Sequence, residues 1–417
     1  MFSRRLWDVS GEANSSDFKA SPIVTLTMSM HLSVNRLTDP AAIQEIAAEW
    51  EQLDALSVPR TPFSSPAWNA LWWKHYRRQD SFAVDEFFMH AIRAPDGRLI
   101  AVAPLFIREY RLLRFVRFRF AQFFGADSSI TELRGLVCAP DDQPAAVAAL
   151  AAFFQGQYRF WDLLRWDGLR SSPNGERVHG LGEACDAGGQ LPNYFIPLPS
   201  TWDEMLSRLN GKFKRNIRKR YELLAKDGFA FKFRVNENPD SVGKSLHRFF
   251  DLHGLRANSD EMDVKHPDRF TNDVNRAFIA DYVNLLAGRG ACRIFELEID
   301  SRPIASILGF VMDDNLWLYS SGFDPSWRKY GVMTMLTAEI LKWSIGSRMA
   351  VVNLSCGKDM GKIRWNPTEV NFFHVLQPAP RRKGRLLLRA YESMDGLRRV
   401  AAWGRGYRPG KGREVTA

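Results

Sequence analysis

The chain has 417 residues, of which 45% are hydrophobic and 25% are charged, and its formal net charge is +10. This length predicts two domains of ordinary size, and the composition excludes wholesale disorder. The cysteines Cys138, Cys185, Cys292 and Cys356 form no CxxC pair. That spacing argues against a zinc site or a disulfide framework and favours a reducing cytoplasm.

No apolar run in the sequence approaches a membrane span. The best candidate, Ala145–Phe154, is about half of the roughly 20 residues that a span requires. Residues 1–27 lack the continuous apolar core of a secretory signal. We therefore expect a cytoplasmic protein in which residues 1–31 are a disordered extension, with Met28 and Met30 as alternative starts.

The first predicted domain covers residues 32–198. Its apolar spacing and turn signals predict helices, a hairpin around Asp96-Gly97, and further strands. In chain order these are the helices Ala41–Leu56 and Ala67–Arg77, the strands Glu86–Arg93, Leu99–Phe106, Phe115–Phe124 and Thr131–Val137, the helix Pro144–Gln155 and the strand Trp161–Trp166.

The second predicted domain covers residues 199–380 and repeats this order, which suggests a tandem duplication without a residue-level repeat. Its first elements are the helix Thr201–Lys226, the strand Phe229–Val235 and the helices Ser241–Asn258 and Phe270–Ala287. The segment Arg293–Met333 follows, and the strands Val351–Leu354 and Asn371–Leu376 end the domain. Residues 381–417 contain a basic amphipathic helix, Arg385–Trp403, and a disordered end.

The segment Arg293–Met333 is the most informative part of the chain. It predicts three strands, Arg293–Ile299, Ile304–Met312 and Leu316–Ser320, followed by a basic turn with Gly331 and the helix Val332–Ile345. A strand that feeds a glycine-bearing turn at a helix start presents backbone N–H groups and the positive end of the helix dipole. Such a turn suits a pyrophosphate, although an ordinary strand–turn–helix is the alternative interpretation.

This segment resembles the cofactor half of the GNAT acyltransferases, whose R/Q-x-x-G-x-G/A loop binds the pyrophosphate of acyl-coenzyme A (acyl-CoA). The matching run is Arg328-Lys329-Tyr330-Gly331-Val332-Met333, with Met333 where a second Gly or Ala is usual. The resemblance implies an α+β fold of two tandem GNAT-like domains, each with a mostly antiparallel sheet flanked by helices. It also implies acetyl-CoA or another acyl-CoA as co-substrate, held by Leu318, Tyr319, Ser320, Arg328, Lys329, Tyr330, Gly331, Val332, Met333 and Thr334.

Over about 340 residues the chain resembles the CelD-type tandem acyltransferases associated with bacterial cellulose and exopolysaccharide production. The cues in the first half are Trp50 with Leu53, Pro62-Phe63 with Trp68, and Ala101-Val102-Ala103-Pro104-Leu105. The cues in the second half are Phe213–Arg220, Leu252-His253 with Arg256, Arg302-Pro303-Ile304-Ala305, and Gly357 with Lys362-Ile363-Arg364-Trp365. Gly361 replaces the tyrosine that the family usually has before this lysine.

Acyl transfer from a thioester needs a base for the acceptor and a proton for the departing thiolate. Glu296 and Glu298 share one face of their strand and are candidate bases, or a solvated strand face. His253 and Arg256 share a helix face and could orient an anionic acceptor, or be a surface pair. Lys362 occupies the family's lysine position and could stabilise negative charge, or be a solvated loop lysine.

The basic helix around Lys214, Arg215 and Arg218 predicts an anionic acceptor, such as a nucleotide sugar or a polyprenyl-phosphate sugar, or contact with the inner membrane surface. Nucleic acid is disfavoured because stacking aromatics are absent. The histidines lack metal-binding spacing, so we expect no metal. We predict a GNAT-type acyltransferase that acts on a sugar-like acceptor. The alternatives are a Fem-type transferase that uses aminoacyl-tRNA and a non-catalytic binding protein.

Overall fold

The computed structural model describes residues 32–112, 116–127, 130–170, 181, 184–260 and 267–404. The predicted extension over 1–31 and the end of the chain from 405 lie outside the described residues.

The described residues form fifteen strands, which are labelled here in chain order. They are β1 (Ser33–Leu37), β2 (Ala83–Phe87), β3 (Met89–Arg93), β4 (Leu99–Ala103), β5 (Leu105–Leu112), β6 (Val116–Phe123), β7 (Val137–Cys138), β8 (Leu163–Arg170), β9 (Cys185–Pro197), β10 (Phe231–Asn236), β11 (Cys292–Ile299), β12 (Arg302–Met312), β13 (Asn315–Phe323), β14 (Val351–Cys356) and β15 (Thr368–Pro378).

The same residues form eleven α-helices and three short 3-10 helices. The α-helices are α1 (Ala42–Glu45), α2 (Ala47–Asp54), α3 (Pro66–Tyr76), α4 (Gln143–Gly156), α5 (Trp202–Ser207), α6 (Gly211–Lys226), α7 (Pro239–Ala257), α8 (Asp273–Gly288), α9 (Val332–Gly346), α10 (Met360–Ile363) and α11 (Arg382–Gly404). The 3-10 helices are Pro62–Ser64, Pro140–Asp142 and Pro325–Tyr330.

Two sheets organise the described residues. One has the strand order β1-β3-β4-β7, and the other has eleven strands in the order β10-β11-β12-β13-β14-β9-β15-β8-β6-β5-β2. The pairs β13·β14 and β6·β8 are parallel, and the other pairs are antiparallel. Because β15 lies between β9 and β8, the large sheet runs through both predicted domains. The boundary at residues 198 and 199 remains a prediction.

Helices pack on both faces of the second half of the sheet. On one face, α7 and α8 share a core with aromatic residues of α2 and α3, and Trp68 meets Phe278 edge to face at 4.7 Å. On the other face, α5, α6 and α9 bury Phe213, Ile217 and Leu336 against the sheet. Apolar residues at helical spacing on α6 thus face the core, as the amphipathic pattern predicts.

The predicted strands of Arg293–Met333 and the following helix are confirmed as β11, β12, β13 and α9. Other boundaries differ. The predicted helix Ala41–Leu56 breaks at Ile46, where the backbone leaves helical geometry. The predicted helix Thr201–Lys226 is two helices, because the Asn210 side chain accepts from the Lys212 amide and starts a second one.

Two predictions about strands in the first half are wrong. Of Thr131–Val137, only Val137 belongs to a strand, because the Asp127 carboxylate accepts hydrogen bonds from the amides of Ile130 and Thr131 and competes with strand pairing. The strand β9 is missing from the prediction. It contains Gly189 and Pro192, which are residues typical of loops.

Candidate active site

The candidate site begins where two parallel strands separate. β13 pairs with β14 at three positions, Asn315 with Val351, Leu316 with Val352, and Trp317 with Asn353. Beyond Trp317 the two strands diverge, and a cavity of about 570 Å³ opens between them. It is lined by Leu318–Ser321 on one side and by Leu354–Gly357 on the other.

β13 is irregular at this point. Leu308 of β12 pairs with Ser320 and Gly309 pairs with Leu318, so that Tyr319 is an additional residue in the strand. Its hydroxyl donates to the Ile130 carbonyl at 2.7 Å, and burial raises the pKa of Tyr319 far above its usual value. The bulge therefore turns the Tyr319 phenol into the protein. Since β13 pairs with β14 only as far as Trp317, the edge of β13 along the cavity has no strand partner among the described residues.

The turn after β13 leads from the cavity to α9. The Asp324 side chain accepts from the Ser326 amide and starts the 3-10 helix Pro325–Tyr330. Gly331 then has φ +63°, a left-handed conformation that glycine adopts without strain. α9 starts directly after Gly331 with no side-chain cap. Its first amides, those of Val332 and Met333, have no carbonyl acceptor within the helix.

Most of the predicted cofactor residues line the cavity. Leu318, Tyr319, Ser320, Arg328, Gly331, Val332, Met333 and Thr334 do so. Lys329 and Tyr330 instead turn away, because both side chains bind the Asp227 carboxylate, at 3.1 and 2.8 Å. Their part in holding a cofactor is therefore limited to the backbone of the turn.

Arg220 of α6 lies behind the turn. Its Nη1 donates to the Lys329 carbonyl at 2.7 Å, and a Cβ added to Gly331 would lie 2.8 Å from Arg220 Nε. The basic run of this helix is visible in the sequence, but only the packing of α6 against the turn selects Arg220 from it. A cation is thus fixed beside the start of α9.

The other wall of the cavity is shaped by two buried asparagines. Asn193 and Asn353 exchange amide hydrogen bonds of 3.0 and 2.9 Å. Asn353 Oδ1 also accepts from the Ser355 amide at 2.8 Å. This cradle holds Ser355 at φ +75°, a left-handed conformation for a non-glycine residue. Such strained residues occur often at functional sites.

Lys362 reaches the same wall from α10. Its Nζ donates to the carbonyls of Cys356 and Gly357 at 2.6 and 3.3 Å, and to Ser355 Oγ at 3.4 Å. Burial lowers the pKa of Lys362, and the negative charge of Glu132 partly offsets this shift. The structure thus brings this predicted residue into the cavity with an ammonium that gives up its proton more readily than a solvated lysine does.

Glu132 also lines the cavity, although it comes from the first half of the chain. Its Oε1 accepts from Ser355 Oγ at 3.0 Å and lies 3.4 Å from Arg269 Nη1. The sequence analysis missed this residue. No motif marks it, because its neighbours in the cavity are more than a hundred residues away along the chain.

His253 and Arg256 line the cavity through different contacts from those expected. His253 Nδ1 contacts the Ser321 carbonyl at 3.0 Å and its Nε2 accepts from the Arg269 amide at 3.4 Å, so both ring nitrogens have partners. Burial also lowers the pKa of His253. Arg256 Nη1 donates to Ser321 Oγ at 2.7 Å. His253 therefore braces the wall, whereas Arg256 adds a partly buried positive charge.

Glu296 and Glu298 are not brought to the cavity. Arg248 holds the Glu296 carboxylate with two hydrogen bonds of 2.9 and 2.8 Å, and the Glu296 residue has 0% exposure. Glu298 pairs with Arg234. The two glutamates share a strand face as predicted, but that face is buried and ion-paired. It is neither solvated nor part of the cavity, and we assign neither carboxylate to the reaction.

The predicted acceptor residues on α6 also lie away from the cavity lining. Arg215 and Arg218 are exposed on the solvent side, and Arg218 pairs with Glu222 at 3.2 Å. Lys214 is half-buried. The charges that do line the cavity, among the described residues, are six basic and two acidic side chains: Arg256, Arg269, Arg328, Lys358, Lys362 and Arg364, with Glu132 and Asp359. This excess favours an anionic ligand.

The described residues contain neither a candidate membrane span nor a candidate metal site. Each of their helices is too short or too polar to cross a membrane. Within the same residues, no group of three or more His, Cys, Asp or Glu side chains is arranged to hold a metal ion.

A family model described as an acetyltransferase (GNAT) domain matches residues 211–362. A search of curated proteins finds no match. Among solved structures, FemX is 9% identical with a TM-score of 0.52, covering 82% of this chain and 96% of that one. A conserved protein of unknown function from Bacteroides thetaiotaomicron VPI-5482 is 13% identical with a TM-score of 0.46, covering 83% and 100%. L-PGS from Bacillus licheniformis is 13% identical with a TM-score of 0.44, covering 84% and 96%.

The matched residues contain the separating strands, the turn and α9. Together with the FemX likeness, which concerns the fold, the match confirms the predicted fold class of antiparallel-rich sheets flanked by helices with a GNAT domain. It also confirms the predicted enzyme class, an acyltransferase.

Proposed function

We propose that this acyltransferase moves an acetyl or related acyl group from CoA to an amine or hydroxyl of a small, sugar-like acceptor, as in the CelD-type resemblance. The observation that carries the proposal is the separation of β13 from β14, which opens a slot that ends at the uncapped start of α9. The charge of the lining supports a ligand with phosphate groups.

The diphosphate of CoA would lie at the turn around Gly331. The amides of Val332 and Met333 point out of the first turn of α9, where the helix dipole favours negative charge. Arg328 lines the same end of the cavity, and Arg220 is fixed next to Gly331. Backbone donors and the Arg328 guanidinium would therefore face the anion, and Arg220 would add a positive charge from behind the turn.

The pantetheine arm of CoA would lie along the free edge of β13. Backbone groups of Leu318, Tyr319 and Ser320 would hydrogen-bond its amide groups, as they would those of an added strand. The thioester would then lie deeper in the slot, towards the point where β13 and β14 meet.

The departing thiolate needs a proton, and Lys362 is placed to supply it. Its ammonium lies against the wall of β14, and burial lowers the pKa of Lys362, which makes its proton easier to transfer. We assign no nucleophilic role to Cys356, because burial raises the pKa of its thiol and so disfavours the reactive thiolate.

Binding of acetyl-CoA by purified Gly331→Ala protein tests the assignment of the turn. The added methyl group would push Arg220 away and strain the left-handed backbone. We expect an affinity about tenfold lower in isothermal titration calorimetry, since a shifted turn misaims the first amides of α9.

Gly290→Ala is the matched control. Gly290 has φ +67°, and a Cβ added there meets nothing within 4 Å, so this variant carries similar backbone strain away from the cavity. Its affinity for acetyl-CoA should equal that of the wild type. Equal affinities for all three proteins would contradict the placement of the diphosphate at Gly331.

The exposed basic face of α6 favours a second candidate function. Arg215, Arg218 and Lys219 are exposed on one helix and could contact the backbone of an aminoacyl-tRNA, as the Fem-type alternative requires. A thermal shift with tRNA and none with acetyl-CoA would support that alternative. Stabilisation by neither ligand would favour the non-catalytic alternative.

A further inference from the structure

The first half of the chain repeats the strand separation of the active site. β6 and β8 are parallel and pair at only two positions, Phe120 with Leu163 and Ala121 with Leu164. α4 lies between them in sequence, as α9 lies between β13 and β14. By its geometry, this half should therefore contain a second slot.

A loop of the same half occupies this second slot. Arg134 Nη1 donates to the carbonyl of Gly125, just after β6, and Arg134 Nε donates to Asp167 of β8, both at 2.7 Å. A Cβ on Gly135 would lie 2.5 Å from the Asp167 carbonyl, and one on Gly168 would lie 2.4 Å from the Arg134 carbonyl. Backbone thus packs on backbone across the slot, which leaves no room there for a pantetheine arm.

The loop that fills the second slot is held on several sides. The Asp127 carboxylate accepts from the amides of Ile130 and Thr131, at 2.6 and 3.1 Å. Trp68 Nε1 donates to Thr131 Oγ1 at 3.1 Å, and Tyr319 of β13 donates to the Ile130 carbonyl at 2.7 Å. These bonds fix the backbone just before Glu132, and the bonds of Arg134 fix it just after. Glu132 itself lies in the cavity between β13 and β14.

One carboxylate oxygen of Glu132 receives no hydrogen bond from the residues that the structure describes. Its Oε1 accepts from Ser355 Oγ, whereas its Oε2 is buried without a hydrogen-bond partner among the described residues. The side chain is 7% exposed. A buried carboxylate oxygen without a donor is costly and is rarely retained without a role. In this cavity, a donor on a bound acceptor would satisfy it.

We propose that Glu132 is the catalytic base and that the first half of the chain, with its own slot closed, supplies it to the active site of the second half. This inference rests on the proposed acyl transfer. Glu132 Oε2 takes the proton from the acceptor N–H or O–H while the acceptor atom bonds to the thioester carbon. The carbon–sulfur bond breaks, and the thiolate takes a proton from Lys362.

The catalytic groups return to their starting state through Ser355. Its Oγ donates to Glu132 Oε1 at 3.0 Å and accepts from Lys362 Nζ at 3.4 Å. The Glu132 carboxyl group then turns so that its protonated oxygen faces Ser355 Oγ. Ser355 accepts this proton while its hydroxyl turns to give its own proton to the neutral Lys362, which restores the carboxylate and the ammonium. The left-handed backbone of Ser355 places its hydroxyl between the two groups.

The test uses water as the acceptor and acetyl-CoA as the donor, with released thiol measured by a colorimetric reagent. Glu132→Gln keeps the size of the side chain and one acceptor oxygen but cannot take a proton. We expect thiol release about 100-fold slower than in the wild type, with the affinity for acetyl-CoA unchanged in calorimetry. Glu109→Gln removes a carboxylate of β5 that pairs with Arg119 of β6, and it should leave both quantities unchanged.

A second variant separates catalysis from support of the fold. In Glu132→Ala, added formate should restore part of the thiol release, because a small carboxylate can occupy the vacated space. A merely structural role would give no such rescue. An unchanged rate in Glu132→Gln, or a wild type that binds acetyl-CoA without protein-dependent thiol release, would overturn this inference alone. A wild type that does not bind acetyl-CoA would instead overturn the proposed function.

Discussion

Replacing Asp167 with alanine is expected to lower the free energy of unfolding by about 3–5 kcal/mol. Asp167 is 1% exposed and binds Arg134 Nε at 2.7 Å and Arg165 Nε at 2.8 Å, and His374 Nδ1 of β15 lies 2.7 Å from its Oδ1. In the variant, these three side chains surround a buried position that no longer holds a carboxylate. Guanidinium-induced unfolding of both proteins measures the difference.

The pH dependence of this difference has a defined sign. Burial raises the pKa of Asp167, but the charges of Arg134 and Arg165 and the hydrogen bond from His374 outweigh burial, and the pKa lies well below its usual value. Since the folded pKa is lowered, the stabilisation is complete above the ordinary carboxyl pKa of about 4 and is lost as the pH falls below it. The difference in the free energy of unfolding between wild type and variant should therefore have its full value at pH 7 and decrease below about pH 4.

Asp96→Ala is the control for this experiment. The Asp96 side chain is 67% exposed in a hairpin turn, where it accepts from the Arg98 amide at 3.0 Å and lies 3.9 Å from the Arg98 guanidinium. Removal of these exposed contacts should cost no more than about 1 kcal/mol. A small effect of Asp167→Ala, equal to that of Asp96→Ala, would contradict the account of the buried cluster.

The Asp167 variant also tests whether the loop that contains Arg134 positions Glu132 in the cavity. Without its partner, Arg134 no longer ties the C-terminal side of the loop to β8, and we expect the Glu132 side chain to shift from its position in the cavity. Under conditions where the variant remains folded, thiol release from acetyl-CoA should fall while binding of acetyl-CoA persists.

Replacing Trp317 with alanine is expected to lower the free energy of unfolding by about 3–5 kcal/mol. Trp317 has 0% exposure and belongs to the last pair of β13 with β14 before the slot opens. Its ring meets Phe63 of the first half edge to face at 5.4 Å. The truncation leaves a cavity at the junction of both halves, and chemical denaturation measures its cost.

Trp317→Phe is the matched variant. Trp317 Nε1 is buried without a hydrogen-bond partner among the described residues, so phenylalanine removes an unsatisfied donor while keeping an aromatic ring. We expect a cost of less than about 1.5 kcal/mol. Similar losses in the two variants would contradict this account, in which a buried aromatic ring at position 317 carries most of the stabilisation.

Local sequence was sufficient where local interactions decide structure. Alternating residues in β11 to β13, a turn with aspartates between β12 and β13, and Gly331 before an apolar helix predicted the cofactor half of the fold. Each element there depends on backbone preferences and near neighbours. The prediction of Lys362 in the cavity came from the family resemblance.

Contacts between distant segments decided the rest. Glu132 reaches Ser355 because a loop of the first half fills its own slot, and no local pattern encodes that. Glu296 and Glu298 alternate as a solvated face would, yet Arg248 and Arg234 from other elements turn that face into buried ion pairs. By itself the sequence determined a GNAT-type fold and the turn before α9. Only the tertiary structure decided which charges face the cavity, because the burial of a charge depends on partners brought from elsewhere in the chain.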